Sequence, residues 1–274
     1  MIMKEHILLQ NLKEHPNILK SYCVNLEGIL EKEGNCEKDT IMYNVLEFAE
    51  HGSLAFFIRT TGHFEEEIAR FHFKQMVHAT EFIHWQNYAH LDLKLENILL
   101  DKYFNVKVAD LGAAVYVGKS EGKTHYRRGT ILYMAPEVIG LKSGEIFDAY
   151  AADIYSLGVW LHVMLVGEFP NPDIHSSMAA TTDSDSQGID ESEEWTMEEL
   201  VKKRWDLLSD SVKTLILKMI SKDPEERPNI KEVLETEWLQ EPFSELTPYH
   251  IYSEMGSRKE FIISTWQKPS KNSN

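Results

Sequence analysis

The chain has 274 residues, 43% of them hydrophobic, and a formal net charge of −16. This is enough apolar material for a sizeable core and excludes a disordered chain, while the acidic balance argues against broad binding to nucleic acid or an anionic membrane, which call for a basic surface. Two cysteines, Cys23 and Cys36, with no CxxC or Cys/His cluster, argue against a disulfide framework or a zinc site and point to a reducing, cytoplasmic setting.

In chain order, residues 3–13 place Ile7, Leu8, Leu9 and Leu12 at helical spacing, and no secretory signal is visible ahead of them. His15-Pro16 stops that helix, because the residue before proline avoids helical angles. Residues 18–30 and 40–48 read as strands around a polar loop at 31–39. After Gly52, residues 64–85 form a long amphipathic pattern with Ile68, Phe71, Phe73, Met76, Val77, Phe82 and Ile83 turned mostly to a core. Ile98-Leu99-Leu100 and Val106-Lys107-Val108 flank a turn and predict a hairpin. The apolar run from Tyr155 to Val166 contains His162, is short for a bilayer, and reads as a buried helix. Residues 171–194 are polar and acidic and predict a mobile surface insertion. Helical patterns resume at 196–208, 210–221 and 228–239. The tail from Glu241 has weak periodicity and a basic end, and is expected to trail in solvent with Arg258, Lys259, Lys268 and Lys271.

The chemistry concentrates around 90–112. Asp92 and Asn97 are close in sequence with Lys94 between them, and Asp110 follows the hairpin in Asp110-Leu111-Gly112. Two carboxylates and an amide carbonyl are hard oxygen donors suited to Mg²⁺, which takes few protein ligands and leaves room for phosphate. Taken singly, each of these residues fits a turn or a cap equally well.

The ordered set carries more weight than its members. HLDLKLEN at 90–97, DLG at 110–112, GTILYMAPE at 129–137, DIYSLGVWL at 153–161 and KDPEERP at 222–228 together resemble the eukaryotic protein kinase family. The match covers roughly residues 4–240. Lys94 and the Gly129-Thr130 pair resemble the serine/threonine branch, with wording similar to the calcium/calmodulin-dependent kinases. The resemblance implies an α+β, protein-kinase-like fold. A remnant of the small lobe would span 1–48, a helical catalytic lobe 49–240 and a tail 241–274. It implies ATP and Mg²⁺ as cofactors and a protein as substrate. Asp92 matches the residue that accepts or orients the substrate hydroxyl proton, and Lys94 the one that steadies the transferring phosphate. Asn97 and Asp110 match the magnesium positions. Glu5 matches the helix glutamate that pairs with an ATP-anchoring lysine. Leu46, Glu47 and Ala49 match the edge that meets adenine, with Leu46 as gatekeeper. Glu137 and Arg227 are expected to pair, Asp153 to tie down the catalytic loop, and His90 to pack rather than react. Glu96 could meet a basic substrate residue, or be a plain loop carboxylate.

Three departures stand out. No glycine precedes Gly28, and nothing before Glu5 resembles a glycine-rich loop or a lysine-bearing strand. Lys4 adjoins Glu5 and would lie on another face of the helix. A small lobe truncated in this way predicts an open sheet edge and weak ATP binding, as in a shortened form of a longer kinase; the alternative is a pseudokinase or scaffold of kinase fold. Leu91 stands where many kinases have an arginine that receives the activation-loop phosphate, so phosphorylation at Thr124 or Tyr126 is expected to matter little. Leu111 replaces the usual phenylalanine with another large apolar side chain.

Overall fold

The computed structural model describes residues 2–31, 38–170 and 196–266; the insertion predicted at 171–194 lies outside them. Helix α1 (Ile2–Asn11) precedes a long antiparallel pair, β1 (Ser21–Glu31) and β2 (Lys38–Leu46). The β1–β2 pair is a sheet of its own among the described residues. Tyr22, Ile29, Met42, Val45 and, just past β2, Phe48 are exposed. The two expected strands are present, with starts and ends shifted by a few residues, and most of the polar loop expected at 31–39 lies outside the described residues.

Short strand β3 (Gly52–Ser53) leads into α2 (Leu54–Thr61) and the long α3 (Glu66–Trp85). Strand β4 (Tyr88–Ala89) enters the catalytic segment, which leaves through β5 (Ile98–Leu100) and β6 (Val106–Val108). β5 lies between β3 and β6, pairing antiparallel with both. The predicted hairpin is therefore real, and its turn is drawn tight by Asp101, whose carboxylate accepts from the amides of Tyr103 and Asn105 at 2.9 Å each. The chain between α1 and β1 is tied to this hairpin. Val108 N donates to Asn17 O (2.8 Å) and Leu19 N to Val108 O (2.9 Å). Asn17 Nδ2 reaches Gln75 Oε1 and Val106 O, both at 2.9 Å. These bonds hold residues 17–19 against β6, while α1 itself packs against β1 and the turn at 111–113.

Strand β7 (Val115–Tyr116) pairs with β4, and β8 (Lys123–Thr124) with β9 (Phe147–Asp148), with the four-residue α4 (Pro136–Ile139) between them in the chain. The central α5 (Ala149–Val166) begins at Asp148, whose carboxylate accepts from Tyr150 N and Ala151 N. Asp153 therefore lies in the second turn of this helix. α5 is long and apolar enough to cross a membrane by length and composition, yet most of it is buried within the protein. Its Trp160 packs against Phe73 of α3, with ring centroids 5.7 Å apart. Burying each such side chain is worth about 1.5–3 kcal/mol.

α6 (Met197–Asp206) and α8 (Ile230–Leu234) each start with a reciprocal capping box, Thr196 with Glu199 and Asn229 with Glu232. α7 (Asp210–Met219) packs on α5, and α9 (Glu237–Gln240) places Trp238 in the core. Glu66, at the start of α3, accepts from Ser209 and from the Trp238 indole.

The tail does not trail. Residues Thr247–Trp266 form helix α10, which packs against α2 and buries Ile251, Met255 and Ile262. The apolar stripe looked weak in the sequence because Arg258 and Lys259 occupy the turn between Met255 and Ile262. Both are held by polar partners rather than by solvent. Lys268 and Lys271 lie outside the described residues.

Candidate active site

The catalytic segment is fixed from beneath by a carboxylate. Asp153 is fully buried on α5, and its two oxygens accept from the amides of His90 and Leu91, each at 2.8 Å. His84 Nε2 lies 2.9 Å from the same carboxylate. Two backbone donors and an imidazole offset the desolvation of a buried charge. The expectation that Asp153 ties down this loop is met. His90 is also fully buried, and burial, opposed by the charges of Asp153, Asp92 and Asp110, holds its imidazole below the usual range. It packs and does not face solvent.

Held this way, the chain turns sharply at Leu91, which has φ +62°, and presents Asp92. Leu91 is buried in an apolar cluster with Val115, Val117, Met134, Ala135 and Phe147. A leucine here therefore joins the catalytic segment to the segment after Asp110 by packing. Across the cleft, Gly129 has φ +112°, and a Cβ on it would run into the Leu91 carbonyl. This close approach brings Thr130 beside Asp92. Thr130 Oγ1 donates to Asp92 Oδ1 at 2.8 Å, and Lys94 Nζ donates to Asp92 Oδ2 at 2.7 Å and to Thr130 Oγ1 at 3.1 Å. The result is a closed triangle of carboxylate, ammonium and hydroxyl. Thr130's part in it could not be read from spacing, since it arrives from another segment.

Asn97 Nδ2 donates to Asp92 O at 3.1 Å, and Asn97 O accepts from Ala109 N at 2.9 Å. The second bond links the catalytic segment to the residue just before Asp110. Asp110 adopts φ 58°, ψ 66°, a left-handed conformation uncommon for a non-glycine residue, with its carboxylate accepting from Gly112 N at 3.2 Å. Leu111 is buried in the main core, as its size predicts. Glu5 approaches from α1. Burial, and next the Asp110 carboxylate, raise its pKa, opposed by a hydrogen bond with the backbone of Leu111. The Asp110 carboxylate is thus near enough to Glu5 to add to that rise. Lys4 turns elsewhere, donating to Ala114 O at 2.9 Å.

On the opposite edge, Leu46 ends β2 and is more than a third exposed. Glu47 N donates to Lys20 O at 2.8 Å, while its carboxylate takes Lys107 Nζ at 2.7 Å and Lys20 N at 3.2 Å. The Glu47 side chain is therefore a tie to β6, leaving backbone groups to face a ligand. Ala49 O accepts from Gly52 N at 3.2 Å. Further down the cleft, Glu96 lies 3.5 Å from the hydroxyl of buried Tyr133, whose pKa is raised first by burial and then by that carboxylate. Ile131 and Leu132 stand exposed beside Thr130. Away from the cleft, Arg227 grips Glu137 through two parallel bonds of 2.7 and 2.8 Å, as expected.

Comparison with known proteins agrees with this arrangement. The family described as "Protein kinase domain" matches residues 1–239. Among curated relatives, the chain is similar to "CBL-interacting protein kinase 31" of Oryza sativa subsp. japonica, with 31% identity over 88% of the chain and 48% of the relative. It is similar to "Serine/threonine-protein kinase 33" of Bos taurus, with 32% identity over 83% of the chain and 46% of the relative. It is also similar to "CBL-interacting serine/threonine-protein kinase 7" of Arabidopsis thaliana, with 32% identity over 91% of the chain and 52% of the relative. The chain spans about half the length of these curated relatives. With a buried aspartate anchoring the 90–97 segment, a carboxylate–lysine–threonine triangle upon it and a family match over most of its length, the chain belongs to the protein kinase domain family.

Proposed function

We propose that this chain carries the catalytic core of a protein serine/threonine kinase, which moves the γ-phosphoryl group of ATP to Ser or Thr hydroxyls of protein substrates. The Asp92–Lys94–Thr130 triangle is the observation that carries the reading. Phosphoryl transfer asks the protein for positioning and charge neutralisation rather than covalent work. Asp92, fixed by Thr130 and Asn97, is placed to orient a substrate hydroxyl and accept its proton. Lys94, already hydrogen-bonded to that carboxylate, holds positive charge where the phosphoryl group passes. Asn97 and Asp110 would hold Mg²⁺, since an amide carbonyl and a carboxylate are the hard oxygen donors it takes; when bound, the metal neutralises phosphate charge. Backbone groups at Glu47 and Ala49, below Leu46, would meet the adenine ring.

A second reading, a binding module of kinase fold, draws on one observation: Glu5 makes no ion pair with a lysine among the described residues. On the same ground we expect weak Mg·ATP affinity for the 274 residues alone. A micromolar dissociation constant by calorimetry would overturn that expectation. The two readings separate in a phosphate-transfer assay at millimolar Mg·ATP on a Ser/Thr peptide library. Transfer that disappears in Asp92→Asn supports the kinase; equal counts for Asp92→Asn and the unaltered chain support the binding module.

A further inference from the structure

Helix α10 lies beyond the family match, which ends at residue 239, and no role described above uses it. It is nevertheless fastened at several places. Thr247 Oγ1 donates to Glu67 Oε1 at 2.5 Å, and His250 Nδ1 lies 3.0 Å from Glu67 Oε2, both at the start of α3. The Tyr252 ring meets Phe104 edge to face, with centroids 5.6 Å apart. Arg258 sits over the Phe64 ring and closes the C-terminal end of α2. It donates to Thr61 Oγ1 at 2.8 Å and to the carbonyls of Thr61, Gly62 and His63 at 3.3, 3.2 and 3.1 Å. A cation at the carbonyl end of a helix is favourably placed.

The remaining contact bears on the site. Lys259 Nζ donates to His51 Nδ1 at 2.6 Å. His51 stacks flat on Phe104, with centroids 3.9 Å apart and an interplanar angle of 11°, and its Nε2 faces Lys102 O at 3.4 Å. A lysine can only donate, so His51 Nδ1 accepts, and the ring proton resides on Nε2 toward Lys102. His51 lies in the short link between Ala49 and α2, where its amide donates to Leu100 O at 3.1 Å and Gly52 N donates to Ala49 O. One end of that link is the edge read above as the adenine contact. The other end runs into the helix that Arg258 closes.

We propose that α10 is a strut for the nucleotide edge, in which Lys259 and Arg258 are positioning residues that fix residues 49–52, and through them the backbone at 47–49. The identity of that edge rests on the kinase reading; the mechanical coupling does not. The competing account is a helix that only covers apolar surface with Ile251, Met255 and Ile262.

The test is hydrogen exchange by mass spectrometry on the full chain, comparing Lys259→Ala, Arg258→Ala and Lys259→Arg with the unaltered protein. A hydrogen bond involving a charged group is worth enough to change local opening by roughly tenfold or more. Lys259→Ala is expected to speed exchange by about that factor in peptides covering 47–53, with α3 unaffected, and Lys259→Arg to restore most of the protection. Unchanged exchange at 47–53 in both alanine variants would overturn the proposal. So would an equal rise across α3, α10 and 47–53, which marks general loosening. With phosphate transfer as a second readout, Lys259→Ala should raise KM for ATP and leave kcat unchanged. If the unaltered chain transfers no phosphate, the kinase reading fails, while the exchange result still decides the strut.

Discussion

Leu91 illustrates how one side chain can replace an electrostatic device with packing. An arginine there could gather a phosphate, whereas the leucine lies in an apolar cluster with Val115 and Phe147. Leu91→Arg should therefore bury an unpaired charge, at a cost of about 3 kcal/mol or more, seen as a lower Tm in calorimetry. By the same argument, Thr124→Ala, which removes a buried hydroxyl, and Tyr126→Phe, which removes an exposed one, should keep phosphate-transfer activity within about threefold, since without a receiving arginine at 91 neither hydroxyl is a switch and the barrier should change by well under one tenfold step; loss of activity in either would refute the packing account. Asp92→Asn should lower transfer by about 10²–10⁴-fold with little change in Tm. Glu5 behaves oppositely to a paired carboxylate. Its folded pKa is raised, so the native state binds the extra proton, and stability at neutral pH is lower than it would be with a neutral group. Glu5→Gln should accordingly leave Tm unchanged or raise it slightly in thermal melts, even though Glu5 sits beside Asp110.

Among the elements, the sequence revealed those whose signals are local. The helices starting near 196 and 228, the turn after Leu100 and the apolar face of α3 each follow from neighbours a few positions away. The grouping of Asp92, Lys94 and Asn97 was legible because their motif is dense. What stayed hidden was long-range. Thr130 reaches Asp92 only because Gly129 permits close approach to Leu91. Lys107 neutralises Glu47 from a different strand. Helix α10 was missed because Arg258 and Lys259 break its apolar stripe, yet each finds carbonyl or imidazole partners once the chain is folded. The Glu137–Arg227 pair joins α4 to the segment before α8, with the Arg227 side chain fully buried. Glu137→Ala would strand that guanidinium, at a cost of about 3–5 kcal/mol. A Tm lowered by roughly 10 °C in a thermal melt is the expected result.

At the level of the whole molecule, burial holds His15, His51, His63, His72 and His90 below the ordinary imidazole range. His72, bridging the carbonyls of Ile68 and Phe104, is pushed down to about 4 by burial, against the pull of those two bonds. For each, the unfolded chain binds a proton more readily than the native one. The stability they contribute is complete above the unfolded value near 6.5 and is lost as pH falls toward the folded values. Calorimetry between pH 7.5 and 5 should show Tm flat at first and then falling. The β1–β2 pair has a different consequence. Its ladder edges and the exposed Tyr22, Ile29, Met42 and Phe48 sit on a molecule of net charge −16. In dilute buffer, mutual repulsion keeps such molecules apart, and added salt weakens the repulsion without making the exposed strands any less adhesive. Colloidal behaviour should then run counter to ordinary salting-in, with light scattering rising as sodium chloride is added.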